Sequence, residues 1–182
     1  MTSIILPNAR VDTRTYPVIY LAGPITGAPP WQDEAMRYLI GRDRDLFVVS
    51  PRRQLAPDLS KEVVEAPLDG FPNQRIWERH YMAHAAKYGA IMFWLPGEQE
   101  HTCTRPYASM TRFELGQWLE KYRCNPDIHM CIGTDGKFSE WDTIIQDFSR
   151  DAPQLRIFET LEATCKEALG IIQSQKKSHT RR

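Results

Sequence analysis

The sequence carries no net charge, no pair of cysteines at metal-binding or redox spacing, and no apolar run longer than a strand. Its 23 basic and 23 acidic residues cancel. No global field is therefore available to hold a polyanion, so a nucleic-acid-like ligand is expected to be small and a nucleic acid polymer is not expected. The longest apolar runs, such as Ala90 to Pro96, fall far short of the roughly 20 residues that a membrane-crossing helix needs. No membrane association is expected. Four cysteines, Cys103, Cys124, Cys131 and Cys165, are scattered without a CxxC motif, which reads as free thiols in a reducing compartment. The N-terminus lacks a basic segment followed by an apolar run and a small-residue cleavage site. A cytoplasmic protein is the expectation. His80 and His84 stand at i and i+4 but lack the glutamate of an HExxH motif. His101-x-Cys103 has no second pair. Neither a metal nor a redox cofactor is expected.

What is present is ordinary globular composition, 42% hydrophobic and 25% charged over 182 residues, enough for one domain with a full core. Residues 1–16 are polar, broken by Pro7, and read as a loosely attached arm. Pro17-Val-Ile-Tyr-Leu-Ala22 reads as a buried strand ended by Gly23-Pro24. Leu46 to Ser50, Ala90 to Leu95, Ile128 to Ile132 and Leu155 to Phe158 read as four more strands. Helices are predicted over Trp31 to Gly41, Asn73 to Tyr88, Thr111 to Arg123, Ser139 to Phe148 and Leu161 to Ile172, from their 3-4 spacing of apolar residues. Residues 51–72 hold four prolines and little periodicity, which marks a long functional or mobile loop. Residues 174–182 are basic at the end and read as a disordered tail. The alternation predicts an α/β fold over residues 17–173: a flavodoxin-like, doubly wound, five-stranded parallel sheet with helices on both faces. Ligands of such folds sit beyond the carboxyl ends of the strands where the strand order reverses. The loops after Ala22 and Leu95 are the first places to look for chemistry.

Two segments carry the chemical signal, Ile19-Tyr-Leu-Ala-Gly-Pro-Ile25 and Tyr107-Ala-Ser-Met-Thr-Arg-Phe-Glu-Leu-Gly-Gln-Trp118. With them the chain resembles the nucleoside 2-deoxyribosyltransferase superfamily, which includes nucleotide and deoxynucleotide N-glycosidases. Phe93-Trp94-Leu95-Pro96 and Trp77-Glu78 resemble its divergent, transferase-like branch. The resemblance covers roughly residues 17–173. It implies that Glu114 is a nucleophile, since a carboxylate both stabilises an oxocarbenium-like transition state and can bond to the sugar. It implies that Tyr20 hydrogen-bonds and aims that carboxylate. Thr111-Arg-Phe-Glu114 also fits a capping box, in which the glutamate closes the first turn of a helix. The two readings are compatible, because a helix N-terminus favours an ionised carboxylate.

The resemblance further implies that Gly23, Pro24, Ile25 and Thr26 form a loop over the sugar or base. Trp31, Trp77 and Trp94 are candidates for stacking on a nucleobase, with Trp94 read as core and Trp77 open to helix packing instead. The chain departs from the classical transferases by lacking their aspartates in residues 77–84 and 105–110. Glu78 and His80 are the expected replacements as proton donor to the leaving base. Ser109 is a candidate sugar contact, and Arg105 and Arg112 are candidates for a phosphate. The expected partner is a small-molecule nucleoside or nucleotide, with cleavage or transfer at its N-glycosidic bond through a covalent glycosyl-Glu114 intermediate. Alternatives are a nucleoside monophosphate N-glycosidase and a nucleotide-sensing or partner-binding module without turnover. The resemblance also implies a homodimer or larger assembly. Phe113, Leu115, Trp118, Leu119 and Tyr122 spread over more than one side of their helix, which fits a surplus apolar face.

Overall fold

The strands of the computed structural model are β1 (Ile4–Ile5), β2 (Val18–Ala22), β3 (Phe47–Val49), β4 (Gly89–Leu95), β5 (Met130–Thr134) and β6 (Ile157–Phe158). Residues 3–14, 16–101 and 104–179 are described. All five strand pairings are parallel, in the order β1-β3-β2-β4-β5-β6. Leaving β1 aside, this is the flavodoxin-like order 2-1-3-4-5. The helices are α1 (Trp31–Arg42), α2 (Gln74–Tyr88), α3 (Ser109–Cys124), α4 (Trp141–Asp151) and α5 (Leu161–His179). The expected α/β architecture holds, with six strands rather than five.

The central strands are buried along their whole length, which is why their sequences are nearly continuous in apolar residues. Successive side chains still alternate between two cores. Val18, Tyr20 and Ala22 join Trp77, Tyr81, Leu115 and Trp118 of α2 and α3 on one face. Ile19 and Leu21 join Met36, Leu39, Cys165 and Ile172 of α1 and α5 on the other. Burial pushes the Cys131 thiol well up and the Cys165 thiol up to about 12, so both behave as small core residues. Cys103 lies outside the described residues. Among the described residues, no helix is long and apolar enough to cross a membrane.

Two expectations about the ends are corrected. In the segment read as a loose arm, the described residues are not loose: Ile4 and Ile5 are fully buried and pair with Val48 and Val49. Two residues are too short to show a strand period, which hid β1 from the sequence. The following segment is strapped to α2, where the Ala9 carbonyl accepts from Trp77 Nε1 and from the Tyr81 hydroxyl, both at 3.1 Å. Tyr81 in turn accepts from the Val11 N–H at 3.0 Å. At the other end, α5 continues to His179, past the point read as the start of a disordered tail. Lys176 pairs with Asp43 at 3.1 Å. The long loop 51–72 contains a 3₁₀ turn, Pro57–Glu62, and its Val63 bridges Ile4 along the β1 edge.

Candidate functional site

The chain leaves β2 toward β3 on one side of the sheet, then crosses back so that β4 flanks β2 on the other. The carboxyl ends of β2 and β4 therefore form the switch point, where loops diverge and leave a crevice. A cleft of about 200 Å³ lies there. Its walls are the loop after β2 (Gly23 to Gly27), the loop before α3 with Arg105 and Tyr107, and the first turns of α3. Tyr20, Glu78 and Glu114 reach it from β2, α2 and α3.

Glu114 is a buried acid, 9% exposed. The capping explanation for it fails on geometry. Helix α3 begins at Ser109 after Ala108, which has φ 56° and no capping side chain. Thr111 is thus the third helical residue and Glu114 the sixth, beyond the reach of a capping box. Thr111 and Glu114, three residues apart, share one face of the helix, and that face lines the cleft. A charged group held there without a capping role has a cost that needs another explanation.

Arg75 supplies the compensating charge. Its Nη1 pairs with Glu114 Oε1 and, at 3.3 Å, with Glu78 Oε2. Glu78 is also held by Gln74 Nε2 at 3.0 Å. Gln74 itself donates to the Pro51 carbonyl at 3.1 Å and accepts from Arg53. Burial pushes the Glu114 carboxyl above its ordinary value; the Arg75 hydrogen bond and charge pull it down without cancelling the rise, and Glu78 adds to it. Burial, then the charges of Glu78 and Glu114, push the Tyr20 phenol well up. Tyr20 is therefore a neutral donor beside two carboxylates, not a base. Among the described residues no hydrogen bond joins Tyr20 to Glu114; the partner of that carboxylate is Arg75.

The loop over the cleft is held from below. Trp31 Nε1 and Gln32 Nε2 donate to the Pro24 carbonyl at 2.9 and 3.2 Å. The Gly27 carbonyl accepts from the N–H groups of Gln99 and Glu100, and Arg105 Nη2 donates to Thr26 Oγ1 at 2.7 Å. The two loops thereby form one rim. Gly23 sits against the floor: a Cβ there would stand 2.3 Å from the Trp94 carbonyl oxygen and 2.7 Å from the Trp31 ring. Gly23→Ala is expected to displace this loop and to destabilise the protein by about 1–3 kcal/mol, the usual scale of overpacking. Urea unfolding of the purified variant checks it; an unchanged midpoint would show that the loop yields freely.

The structure gathers Tyr20, Gly23, Pro24, Ile25, Thr26, Glu78, Ser109 and Glu114 in one cleft, together with Arg105. It does not bring five other candidates there. Trp77 is fully buried between Tyr20 and Tyr81 and donates to Ala9, so it is core. His80 stands two residues beyond Glu78, on a different side of α2, where it is exposed and packs on Phe71 and Tyr81. Arg112 fastens α3 to α4, donating to the Ser139 carbonyl at 2.9 Å and lying over Phe138. Trp94, 6% exposed, is core as expected, and Trp31 supports the loop from beneath. Arg75 was the missed residue. Its signal was its place three residues before Glu78, which puts both on one helix face. Among the described residues, no group of three His, Cys, Asp or Glu side chains is placed to hold a metal. Comparison with protein-family models finds no match, and comparison with curated proteins finds none either.

Proposed function

We propose that this protein cleaves or transfers at the N-glycosidic bond of a nucleoside or deoxynucleoside through a covalent glycosyl-Glu114 intermediate. The observation that carries the reading is a buried carboxylate, Glu114, facing a cleft at the sheet's switch point with Tyr20 and Glu78 beside it. The resemblance of Ile19 to Ile25 and Tyr107 to Trp118 to the nucleoside 2-deoxyribosyltransferase superfamily supports it. In the first step the carboxylate of Glu114 bonds to the anomeric carbon while the carbon–nitrogen bond breaks and the base takes the electron pair. A proton passes from the Glu78 carboxyl to the departing base. Water or a second base then attacks from the vacated face, and the ester to Glu114 breaks with net retention.

A nucleoside monophosphate as substrate is the second reading, favoured by the rim of the cleft. Helix α3 opens without a side-chain cap, Ser109 to Thr111 of its first turn line the cleft, and Arg105 stands at the mouth. An uncapped helix start beside a guanidinium suits a phosphate. Incubation with a mixed pool of nucleosides and nucleotides, followed by mass spectrometry, tests both. Free base with the sugar, or with its phosphate, is the expected outcome and separates the two substrates. A nucleoside that stays bound and intact for hours would replace catalysis with sensing.

A homodimer or larger assembly belongs to the same proposal. The cleft's volume of about 200 Å³ lies below the roughly 300 Å³ at which small-molecule sites usually begin, so a nucleoside would lean out of it. Phe113 and Met110 on α3 and Ile76 on α2 are 54%, 53% and 45% exposed. Leu115, Trp118 and Tyr122 are taken up by the chain's own core, so the surplus is smaller than the sequence suggested. Sedimentation at micromolar concentration is expected to give a dimer or larger. A fully active monomer of 21.1 kDa would end the shared-site idea.

A further inference from the structure

We propose that Arg75 is a positioning residue, the shared counter-ion that holds the carboxylates of Glu114 and Glu78 together at the cleft from two different helices. The inference rests on the N-glycosidic reading above. Its geometry is specific: a single nitrogen, Nη1 of Arg75, contacts Glu114 Oε1 on α3 and Glu78 Oε2 on α2. One cation thus bridges the two helices. Glu78 is anchored through its other oxygen by Gln74, which leaves Oε2 to Arg75. Arg75 itself is not part of the cleft wall, so it works through the carboxylates and not on the substrate.

Glu114 is an anion when it attacks and neutral while the glycosyl ester lasts, and hydrolysis of the ester returns it as a carboxylate. Arg75 keeps Glu78 as its second partner throughout, so the cation is not stranded while Glu114 is esterified. Glu114 is 9% exposed, and an uncompensated charge beside it is costly. The titratable and charged groups facing Glu114 are Arg75 and Glu78 on α2 and Tyr20 on β2. Arg75 is the cation of the set.

The test is titration of Glu114 in the full chain by NMR of ¹³Cδ-labelled glutamate, with Glu114→Gln identifying the resonance. In Arg75→Gln the midpoint of Glu114 is expected to rise by about one pH unit, the scale for loss of an adjacent guanidinium. Arg75→Lys keeps the charge and is expected to hold most of the wild-type value. In turnover, the acid limb of the pH–rate profile is expected to move up with the midpoint. The kcat near neutrality should fall on the order of 100-fold with KM little changed. An unmoved midpoint and an unmoved limb in folded Arg75→Gln would overturn the assignment. Should that variant not fold, Arg75→Met carries the same measurement with the stem retained. The titration needs no turnover. A shifted midpoint in a protein that cleaves no nucleoside upholds the pairing with Glu114 and overturns the substrate reading. An unshifted midpoint with cleavage intact overturns the role of Arg75 alone.

Discussion

Glu114→Gln is expected to lower turnover at least about 1,000-fold, the scale for losing a group that acts in the transition state, and to leave the protein as stable or more stable at neutral pH. The amide keeps the size and the hydrogen-bond acceptor for Arg75 but cannot bond to the sugar as an anion. The stability expectation follows from the direction of the acid's shift. Burial holds the folded carboxyl above its ordinary value despite Arg75, so the unfolded chain ionises more readily than the folded one. Stability contributed by the neutral carboxyl is full below the unfolded value and is lost as pH rises through the folded value. Gln is neutral throughout and escapes that loss. A gain of about 0.5–2 kcal/mol near pH 7 is ordinary where a functional group carries such a cost. It should vanish below about pH 4, where wild type is protonated too. Chemical unfolding at three pH values measures it, and product analysis measures turnover. Activity retained in folded Glu114→Gln would remove the nucleophile. A variant less stable than wild type by several kcal/mol would mean that Glu114 is a structural ion-pair partner.

Much of this site was legible because its parts are local in sequence. The strand Val18–Ala22 and the Gly-Pro break after it are one continuous signal, and they place Tyr20 and Gly23 without knowledge of any other segment. The same holds for Ala90 to Leu95, so the switch point followed from strand order alone. The contributions from α2 were harder. A helix of 15 residues turns every side to something, and sequence shows only its apolar stripe. Trp77, Glu78 and His80 are near neighbours in sequence, yet they face the core, the cleft and the outer surface. Reading them as one group spread a single site over three directions. Arg75 escaped for a related reason: an arginine on a helix start is usually solvated, and its value here comes from α3, 39 residues on. Arg112 shows the converse. Proximity to Glu114 in sequence suggested the site, but a guanidinium two residues away on a helix points elsewhere, here to the start of α4. Pairings as short as β1 leave no periodic trace, so the sixth strand had to come from the structure.

Trp77→Ala is expected to be the most damaging single change to the fold, costing about 3–5 kcal/mol, the range for deleting a buried aromatic ring. That is a large share of the roughly 5–15 kcal/mol by which domains are stable. The ring is fully buried, 6.2 Å from the Tyr20 ring and 5.3 Å from the Tyr81 ring between centroids. Its loss opens a cavity between the sheet and α2 at the point where β2 carries Tyr20. The second consequence is at the edge of the sheet. Trp77 is one of two side chains that hold the Ala9 carbonyl, and that contact straps the segment after β1. Trp77→Phe separates the two effects. It keeps most of the ring and leaves Tyr81 as donor to Ala9, so the carbonyl stays satisfied and the cost is expected near 1 kcal/mol. Hydrogen exchange should show Ile4 and Ile5 opening faster in Trp77→Ala than in Trp77→Phe, ahead of β4. If Trp77 were a stacking platform for the base, the phenylalanine variant would fold normally and bind substrate at least about tenfold more weakly, a loss within the range for one stacked ring. Its burial assigns it to the core, and an unchanged KM in Trp77→Phe is the result that agrees.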